Sequence, residues 1–331
     1  MSHRMILSAA LLALAAGWVG AAAPPPKTRF PSLSSDDTFD RIRKESAPLP
    51  GWSRMLAGSL PRTTALMLSL DQVHRAKNPL DSTLRARLRW IAADANRCDY
   101  SSKQAEADLH SAGVSSEQVG KYCGDVTKWP EDQRALVTFA RKMTLAAHTV
   151  TDAEMAALLK AHGEAKVVAM VHTLAHANFQ DRIFLALGVE AESAELMAPV
   201  LLPVPSADRT KGLVPARRAW KAIRGAKLDA AAGRPDWQER SSEALDEAMA
   251  DQKARKPRIE MPWSHRLQTL PPEMRERTER VMWSRVSMGY QPALTRAWFE
   301  TMGSFQAEAR MDPVFSNSFF WVVTRSNDCF Y

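Results

Sequence analysis

The chain has 331 residues, enough for two modest domains or one large one, and its 45% hydrophobic content is normal for a globular protein with a core. Only 14 glycines, among abundant Ala, Leu, Met and Arg, favour helix over sheet. The formal charge of +7 permits binding to acidic surfaces without identifying a partner, and the odd number of 3 cysteines argues against a disulfide scaffold.

The N-terminus has the pattern of an export signal. It begins with His3 and Arg4, continues with an apolar stretch from Met5 to Gly20, and ends with the small residues Ala21–Ala23. The alternative is an uncleaved membrane anchor, for which the apolar run is at the short end of the spanning length. The sequence therefore predicts a signal peptide at 1–23 and a periplasmic or otherwise extracytoplasmic protein.

Helical patterns dominate residues 51–200, after a leader at 24–50 that is rich in Pro and Ser. Asp81 or Ser82 is placed to cap one helix of this unit. The clearest pattern runs from Glu164 to Gly188, where apolar residues recur at helical spacing before a glycine stop. We predict an all-α bundle for this first unit.

Residues 201–262 form a basic, Pro-containing stretch that we interpret as a solvated linker. One surface helix is predicted within it, at about Ser242 to Lys253. A nucleic-acid interface would need aromatic or groove-reading elements beside the basic residues. Trp220 and Trp237 are too isolated to supply them, so we expect no nucleic-acid partner.

The helical pattern resumes at residues 263–331 and repeats the start of the first unit at a constant offset of 231 residues. The matching pairs are Pro61 and Pro292, Asp81 and Asp312, Trp90 and Trp321, Asn96 and Asn327, Cys98 and Cys329, and Tyr100 and Tyr331. This register favours a duplication. We expect a truncated second unit whose apolar face at 313–323 lacks cover or borrows it from a partner.

Four stretches carry a resemblance to a known family. Residues 88–109, 135–144 (ALVTFARKMT), 150–152 and 178–188 together resemble the alkylhydroperoxidase D and carboxymuconolactone decarboxylase family. The resemblance implies an all-helical, commonly homo-oligomeric protein without a cofactor. Peroxidase members reduce hydroperoxides with a thiol reductant. They use a C-x-x-C pair activated by a Glu before it and a His after it, whereas decarboxylase members use other polar residues.

In the first unit, one of the four family residues is present. Cys98 matches the first thiol, while Ser101 stands at the second thiol position. Ala86 and Ala105 stand where the family has Glu and His. The site of this unit is therefore expected to be degenerate.

In the second unit, Cys329 matches the first thiol and Asn317 stands at the Glu position. The second thiol position would follow Tyr331, the last residue of the sequence. Cys329 is thus the better candidate for a peroxidatic thiol, in a site that is incomplete.

Three interpretations of Cys98 stay open. It is a single-thiol peroxidatic site with Ser101 donating a hydrogen bond to the thiolate, a buried remnant that packs as a small apolar residue, or the disulfide partner of Cys123. The cations and bases that lower a thiol pKa are sparse nearby, with Arg97 the only adjacent cation.

Two histidines, His172 and His176, lie one helical turn apart, which is the spacing of a zinc pair. Thr173 stands where a zincin motif needs Glu, and no third ligand is evident. We therefore predict no metal and interpret the pair as packing residues. His74 has no spacing signal of its own.

The leading functional expectation is thiol-dependent peroxide reduction by an exported, homo-oligomeric family member, with a small hydroperoxide and a thiol reductant as partners. One alternative is a non-enzymatic scaffold in which the first unit is an inactive copy. A third is a lactone decarboxylase-like enzyme. The sequence lacks a Gly-rich phosphate loop, a nucleophile elbow and a paired-carboxylate motif.

Overall fold

The computed structural model describes residues 32–34, 37–38, 49–124, 129, 131–193, 241–254, 256–262, 268, 272, 275 and 282–327. The predicted signal peptide, most of the leader, residues 194–240 and Cys329 lie outside them. Within the described residues the secondary structure is helical throughout, which confirms the all-α prediction.

The helices are α1 (Gly51–Leu56), α2 (Pro61–Ala76), α3 (Ser82–Asn96), α4 (Asp99–Ser111), α5 (Ser116–Tyr122), α6 (Glu131–Leu145), α7 (Asp152–His162), α8 (Glu164–Leu187), α9 (Ser242–Ala254), α10 (Met282–Tyr290), α11 (Pro292–Ala309) and α12 (Pro313–Ser326), with a 3₁₀ turn at Ala147–Thr149.

Helix ends follow the local signals of the sequence. Asp81 caps α3, because its carboxylate accepts a hydrogen bond from the Leu84 N–H at 2.8 Å. Thr151 and Glu154 form a reciprocal capping box at the start of α7. Gly188 ends α8 in the left-handed conformation, at φ 64°.

None of the described helices has the length and apolarity needed to cross a bilayer.

The main core lies where α3 packs against α4, α6 and α8. Its most completely buried large side chains come from one stripe of α3 and the facing sides of α6 and α8, and they are Leu88, Ile91, Phe139, Met170 and Leu174. Each is at most 2% exposed. Burying a side chain of this size contributes about 1.5–3 kcal/mol, so this stripe dominates the stability of the first unit.

Helices of the predicted second unit pack directly on the first unit. Helix α11 runs back along α2, and its Glu308 carboxylate accepts hydrogen bonds from the N–H groups of Arg62 and Thr63 at 2.9 and 2.7 Å. Helix α10 lies beside α8, where the Gln291 side chain donates a hydrogen bond to the Ala165 carbonyl at 2.6 Å. The two units, separated in sequence by the linker, therefore share an interface in the same chain.

The offset of the sequence pattern extends to the helix starts. Helices α10, α11 and α12 begin at 282, 292 and 313, each 231 residues after the starts of α1, α2 and α3. Leu60 and Gln291, the residues before α2 and α11, have nearly the same backbone angles, φ −131°, ψ 59° and φ −134°, ψ 61°. The duplication itself stays a hypothesis.

Helix α12 exposes its large apolar side chains, whereas α3, its counterpart in the proposed repeat, buries Leu88, Trp90 and Ile91. More than half of the surface of each of its large residues Val314, Phe315, Phe319, Phe320 and Trp321 is accessible. Asp312 caps the helix by accepting a hydrogen bond from the Phe315 N–H at 2.9 Å. The apolar face expected at 313–323 is therefore formed, and it is uncovered by the part of the chain that the structure describes.

Candidate functional site

Cys98 lies in the tight connection between α3 and α4. Arg97 takes the left-handed conformation, at φ 56° and ψ 43°, and this turns the chain so that Cys98 occupies the N-cap position of α4. The Cys98 side chain is 2% exposed. It belongs to a second apolar cluster with Leu49, Trp52, Met67, Tyr100 and Phe184.

The surroundings of Cys98 favour the thiol over the thiolate. Burial raises the pKa of Cys98, and the contact with Ser101 offsets only part of this rise. The Sγ–H donates a hydrogen bond to the Ser101 Oγ at 3.5 Å. A protonated, buried thiol is a poor nucleophile, because the thiolate is the reactive form.

One carboxyl group, that of Asp181, lies beside this pair. Asn96 donates a hydrogen bond to the Asp181 Oδ2 at 2.7 Å, and burial raises the pKa of Asp181. The charge of Asp181 raises the pKa of Cys98 further. Around Cys98, the effects of Ser101 and Arg89 that favour the thiolate are therefore outweighed by burial and by the charge of Asp181.

The structure excludes one of the three interpretations of Cys98, its pairing with Cys123. Cys98 and Cys123 are both free, so the predicted alternative of a disulfide between them is wrong. Burial raises the pKa of Cys123 to about 12. Ala86 and Ala105, at the family's Glu and His positions, are fully buried methyl groups within the core.

A different site forms where α8 faces α2 and α10. A cavity of about 640 Å³, within the usual range for small-molecule sites, is lined mainly by apolar side chains. Three histidines reach it: His172 and His176 from α8, and His74 from the end of α2. The His74 and His176 rings stack with centroids 4.1 Å apart. Below, this site is called the histidine-lined cavity.

The three imidazoles are neutral near pH 7. Burial lowers the pKa of His172 to about 4. Burial, and next the charge of its histidine neighbour, hold the pKa values of His74 and His176 well below the ordinary range. A neutral imidazole has one donor and one acceptor nitrogen, so each ring can hydrogen-bond a ligand in either sense.

Two ring nitrogens in this group lack partners among the described residues. The Nδ1 of His74 and the Nε2 of His172 are buried and make no hydrogen bond there. An unsatisfied buried polar atom costs about 1–3 kcal/mol, and such atoms are uncommon in folded proteins. Their place beside an apolar cavity indicates a site that is completed by a bound polar group.

The opposite wall of the cavity comes from the helices of the predicted second unit and from residues 257–259, which precede these helices in the chain. Trp283 and Val286 of α10 and Trp298 of α11 supply apolar surface. Arg258 lies at the solvent side, where its Nε forms an ion pair with the Asp152 carboxylate at 2.6 Å. Both predicted units therefore contribute to one cavity.

A cluster of buried charges lies next to the histidines. Arg75 bonds Asp71 and, at 3.2 Å, Asp108, while Arg89 donates to Gln180 at 2.7 Å. The positive charge of Arg89 helps to lower the pKa of both His74 and His176. The cluster thus adds to burial in keeping the imidazoles uncharged, and its contacts join α2, α3, α4 and α8.

The geometry does not favour a metal centre. Among the described residues, no group of three or more His, Cys, Asp or Glu side chains is placed to hold a metal ion. His172 and His176 share one helix face as predicted, and the third histidine, His74, stacks on His176 instead of converging with the pair on a point.

Sequence reasoning missed His74, Arg258 and the two tryptophans of the cavity. His74 has no second histidine at ligand spacing, but it continues the buried stripe of Leu66 and Leu70 at four-residue spacing, and this position on the helix could have placed it inside the protein. Arg258 had no such sequence signal, since it lies in the predicted linker.

Compared with known proteins, the chain matches no family model, no curated protein and no solved structure.

Proposed function

We propose that this chain is an alkylhydroperoxidase D-like protein of the decarboxylase-like branch, with its working site in the histidine-lined cavity. The site binds a small, mostly apolar carbonyl compound, and its neutral imidazoles hydrogen-bond the carbonyl oxygen. The observation that carries the proposal is the pair of unpartnered nitrogens, His74 Nδ1 and His172 Nε2, beside an apolar cavity.

The family membership is part of the proposal and rests on the sequence resemblance. The all-helical fold supports it, as does the order of α3, α4, α6 and α8, which carry three of the four matching stretches, while the fourth leads into α7. Homo-oligomerisation belongs to the same proposal. The exposed apolar residues of α12 support it, because large apolar patches on a protein surface commonly mark contact sites.

Thiol-dependent peroxide reduction is the less supported function. In the first unit it would need a thiolate at Cys98, and burial raises the pKa of that thiol. For Cys329, which lies outside the described residues, the peroxidatic role stays a prediction. A non-enzymatic scaffold is the remaining alternative, and it predicts that no ligand binds with dependence on His172.

Calorimetric titration with acetylnaphthalene, a neutral aromatic ketone, tests the proposal. We expect binding that weakens about tenfold or more in His172→Phe, because phenylalanine keeps a ring in place and removes the hydrogen-bonding nitrogens.

The matched control is His110→Gln, which changes an exposed histidine at the end of α4, away from the cavity. Its affinity should equal that of the wild type. Equal affinity in His172→Phe and the wild type, or no binding at all, would rule out the histidine-lined cavity as the working site.

A further inference from the structure

Arg258 gives the histidine-lined cavity a charged end. Of the described residues that line the cavity, it is the only one that carries a charge at neutral pH, since the three histidines are neutral. Its side chain is 33% exposed, whereas His74 and His176 are buried. The cavity therefore runs from a cation near the solvent to neutral hydrogen-bonding groups in the interior.

The guanidinium of Arg258 has an exposed partner. Its Nε lies 2.6 Å from the Asp152 carboxylate, which is 86% exposed. An ion pair as exposed as this one contributes little free energy. A guanidinium edge with two parallel N–H groups matches the two oxygens of a carboxylate, in a geometry that lysine does not reproduce.

Between the two polar ends the wall is aromatic and aliphatic. Trp283 and Trp298 stand on one side, and Val168 and Val171 of α8 on the other. An apolar ligand body gains free energy by leaving water for such a wall, and a second charge within it would lose free energy. This wall disfavours di- and tricarboxylic acids.

We propose that the ligand is an amphipathic monocarboxylic acid that also carries a carbonyl group. Its carboxylate pairs with the terminal nitrogens of Arg258, its apolar body lies against Trp283 and Trp298, and its carbonyl accepts a hydrogen bond from His172 or His74. This inference rests on the proposed function of the cavity, and it adds the charge of the ligand and the residue that selects it.

The test compares an acetylnaphthoate, with its acetyl and carboxylate groups at opposite ends of the rings, with its methyl ester, by calorimetric titration. The wild type should bind the acid about tenfold or more tightly than the ester. Arg258→Gln should lose this preference and keep the affinity for the ester, while Arg258→Lys should keep part of it.

Arg141→Gln is the matched control, because Arg141 is also a partly exposed arginine paired with an aspartate, Asp94, and lies outside the cavity. It should retain the full preference. A wild type that binds acid and ester equally, or an Arg258→Gln variant that still prefers the acid, overturns the inference.

The failure of the proposed function has a different signature. In that case acetylnaphthalene and the ester fail to bind, or bind without dependence on His172, and both proposals fall together. Binding of acetylnaphthalene that depends on His172, with no preference for the acid over its ester, retains the proposed function and removes the inference alone.

Discussion

The imidazole ring of His74 stacks on that of His176 with the two planes only 10° apart. The residues come from α2 and α8. Burial, and next the charge of His74, lower the pKa of His176, because two imidazolium ions cannot face each other at this distance. With His172 on the next turn of α8, three titratable rings border a single cavity. This arrangement makes the site, and the stability of the whole first unit, sensitive to acid.

The free energy of unfolding should fall as the pH falls from 7 to 5. The folded protein has a pKa of about 4 at His172, below the ordinary value near 6.5, so below pH 6.5 the unfolded state binds more protons. Stability from this group is complete above pH 6.5 and is lost progressively toward pH 4. At pH 5 the loss is about 2 kcal/mol for His172 alone. Urea titrations across this range measure it.

The His172→Phe variant separates this effect from the titration of carboxylates. Its loss of stability between pH 7 and 5 should be smaller by about 2 kcal/mol than that of the wild type, whereas His110→Gln should leave the profile unchanged. At pH 7 the variant should be at least as stable as the wild type, because it removes a buried nitrogen without a partner. Identical pH profiles would contradict the lowered pKa.

Cys98 should be inert in the folded protein. Its burial and raised pKa predict slow labelling by a disulfide reagent such as Ellman's reagent at pH 8, and rapid labelling after unfolding in urea. Cys98→Ala should leave peroxide consumption with a dithiol reductant unchanged. If the family activity is present, Cys329→Ser should reduce that consumption.

Cys98→Ala and Cys329→Ser distinguish which of the two thiols reacts with peroxide. A drop in turnover in Cys98→Ala alone would restore Cys98 as the peroxidatic thiol. Mass spectrometry of peptides from the labelled protein identifies which thiol has reacted, so the slow labelling of Cys98 is measured separately from that of Cys123 and Cys329.

Asp108 should be essential for the stability of the first unit. It pairs with Arg75 at 3.2 Å and with Arg89 at 3.8 Å inside the protein, so Asp108→Asn leaves buried cations short of a counter-charge. Removing one partner of such a buried pair costs about 3–5 kcal/mol. The measurement is the free energy of unfolding in urea.

Asp94→Asn is the corresponding surface control. Asp94 pairs with Arg141 at 2.8 Å, and about 40% of each side chain is exposed. Its loss should cost about 1 kcal/mol or less, because water screens exposed ion pairs. A similar cost for the two substitutions would show that the buried cluster contributes no more than a surface pair.

The exposed face of α12 should control self-association. Phe315 and Phe319 stack on each other in the solvent, with ring centroids 6.2 Å apart. Phe319→Glu should shift the sedimenting species toward monomer, since a charge on a buried apolar contact is costly. Asn317→Glu adds the same charge at an exposed polar position of the same helix. A species unchanged by Phe319→Glu would exclude this face from the oligomer contact.

Much of the fold could be predicted because its signals are local. The caps at Asp81 and Thr151, the glycine stop at Gly188 and the surface helix near Ser242 depend on residues within about one turn. The offset of 231 residues was also readable, and it predicted the starts of α11 and α12 at Pro292 and after Asp312.

The candidate site was predicted only in part. The pairing of His172 with His176 on one helix face follows from their spacing, but their role does not. Residues of the proposed repeat were expected to belong to a separate unit, and Trp283 and Trp298 instead line the same cavity as the histidines. The sequence singled out Cys98 because cysteine is a reactive residue type. Its burial in an apolar cluster instead raises its pKa and favours the protonated thiol.

The sequence by itself determined the helical class, most helix boundaries and the repeated pattern, because these depend on residue types over short distances along the chain. Only the tertiary structure decided that His74 meets His176, that Arg258 borders their cavity and that Cys98 is sealed in a core. These relationships join residues far apart in sequence, and helix packing determines both which side chains meet and how much water reaches them.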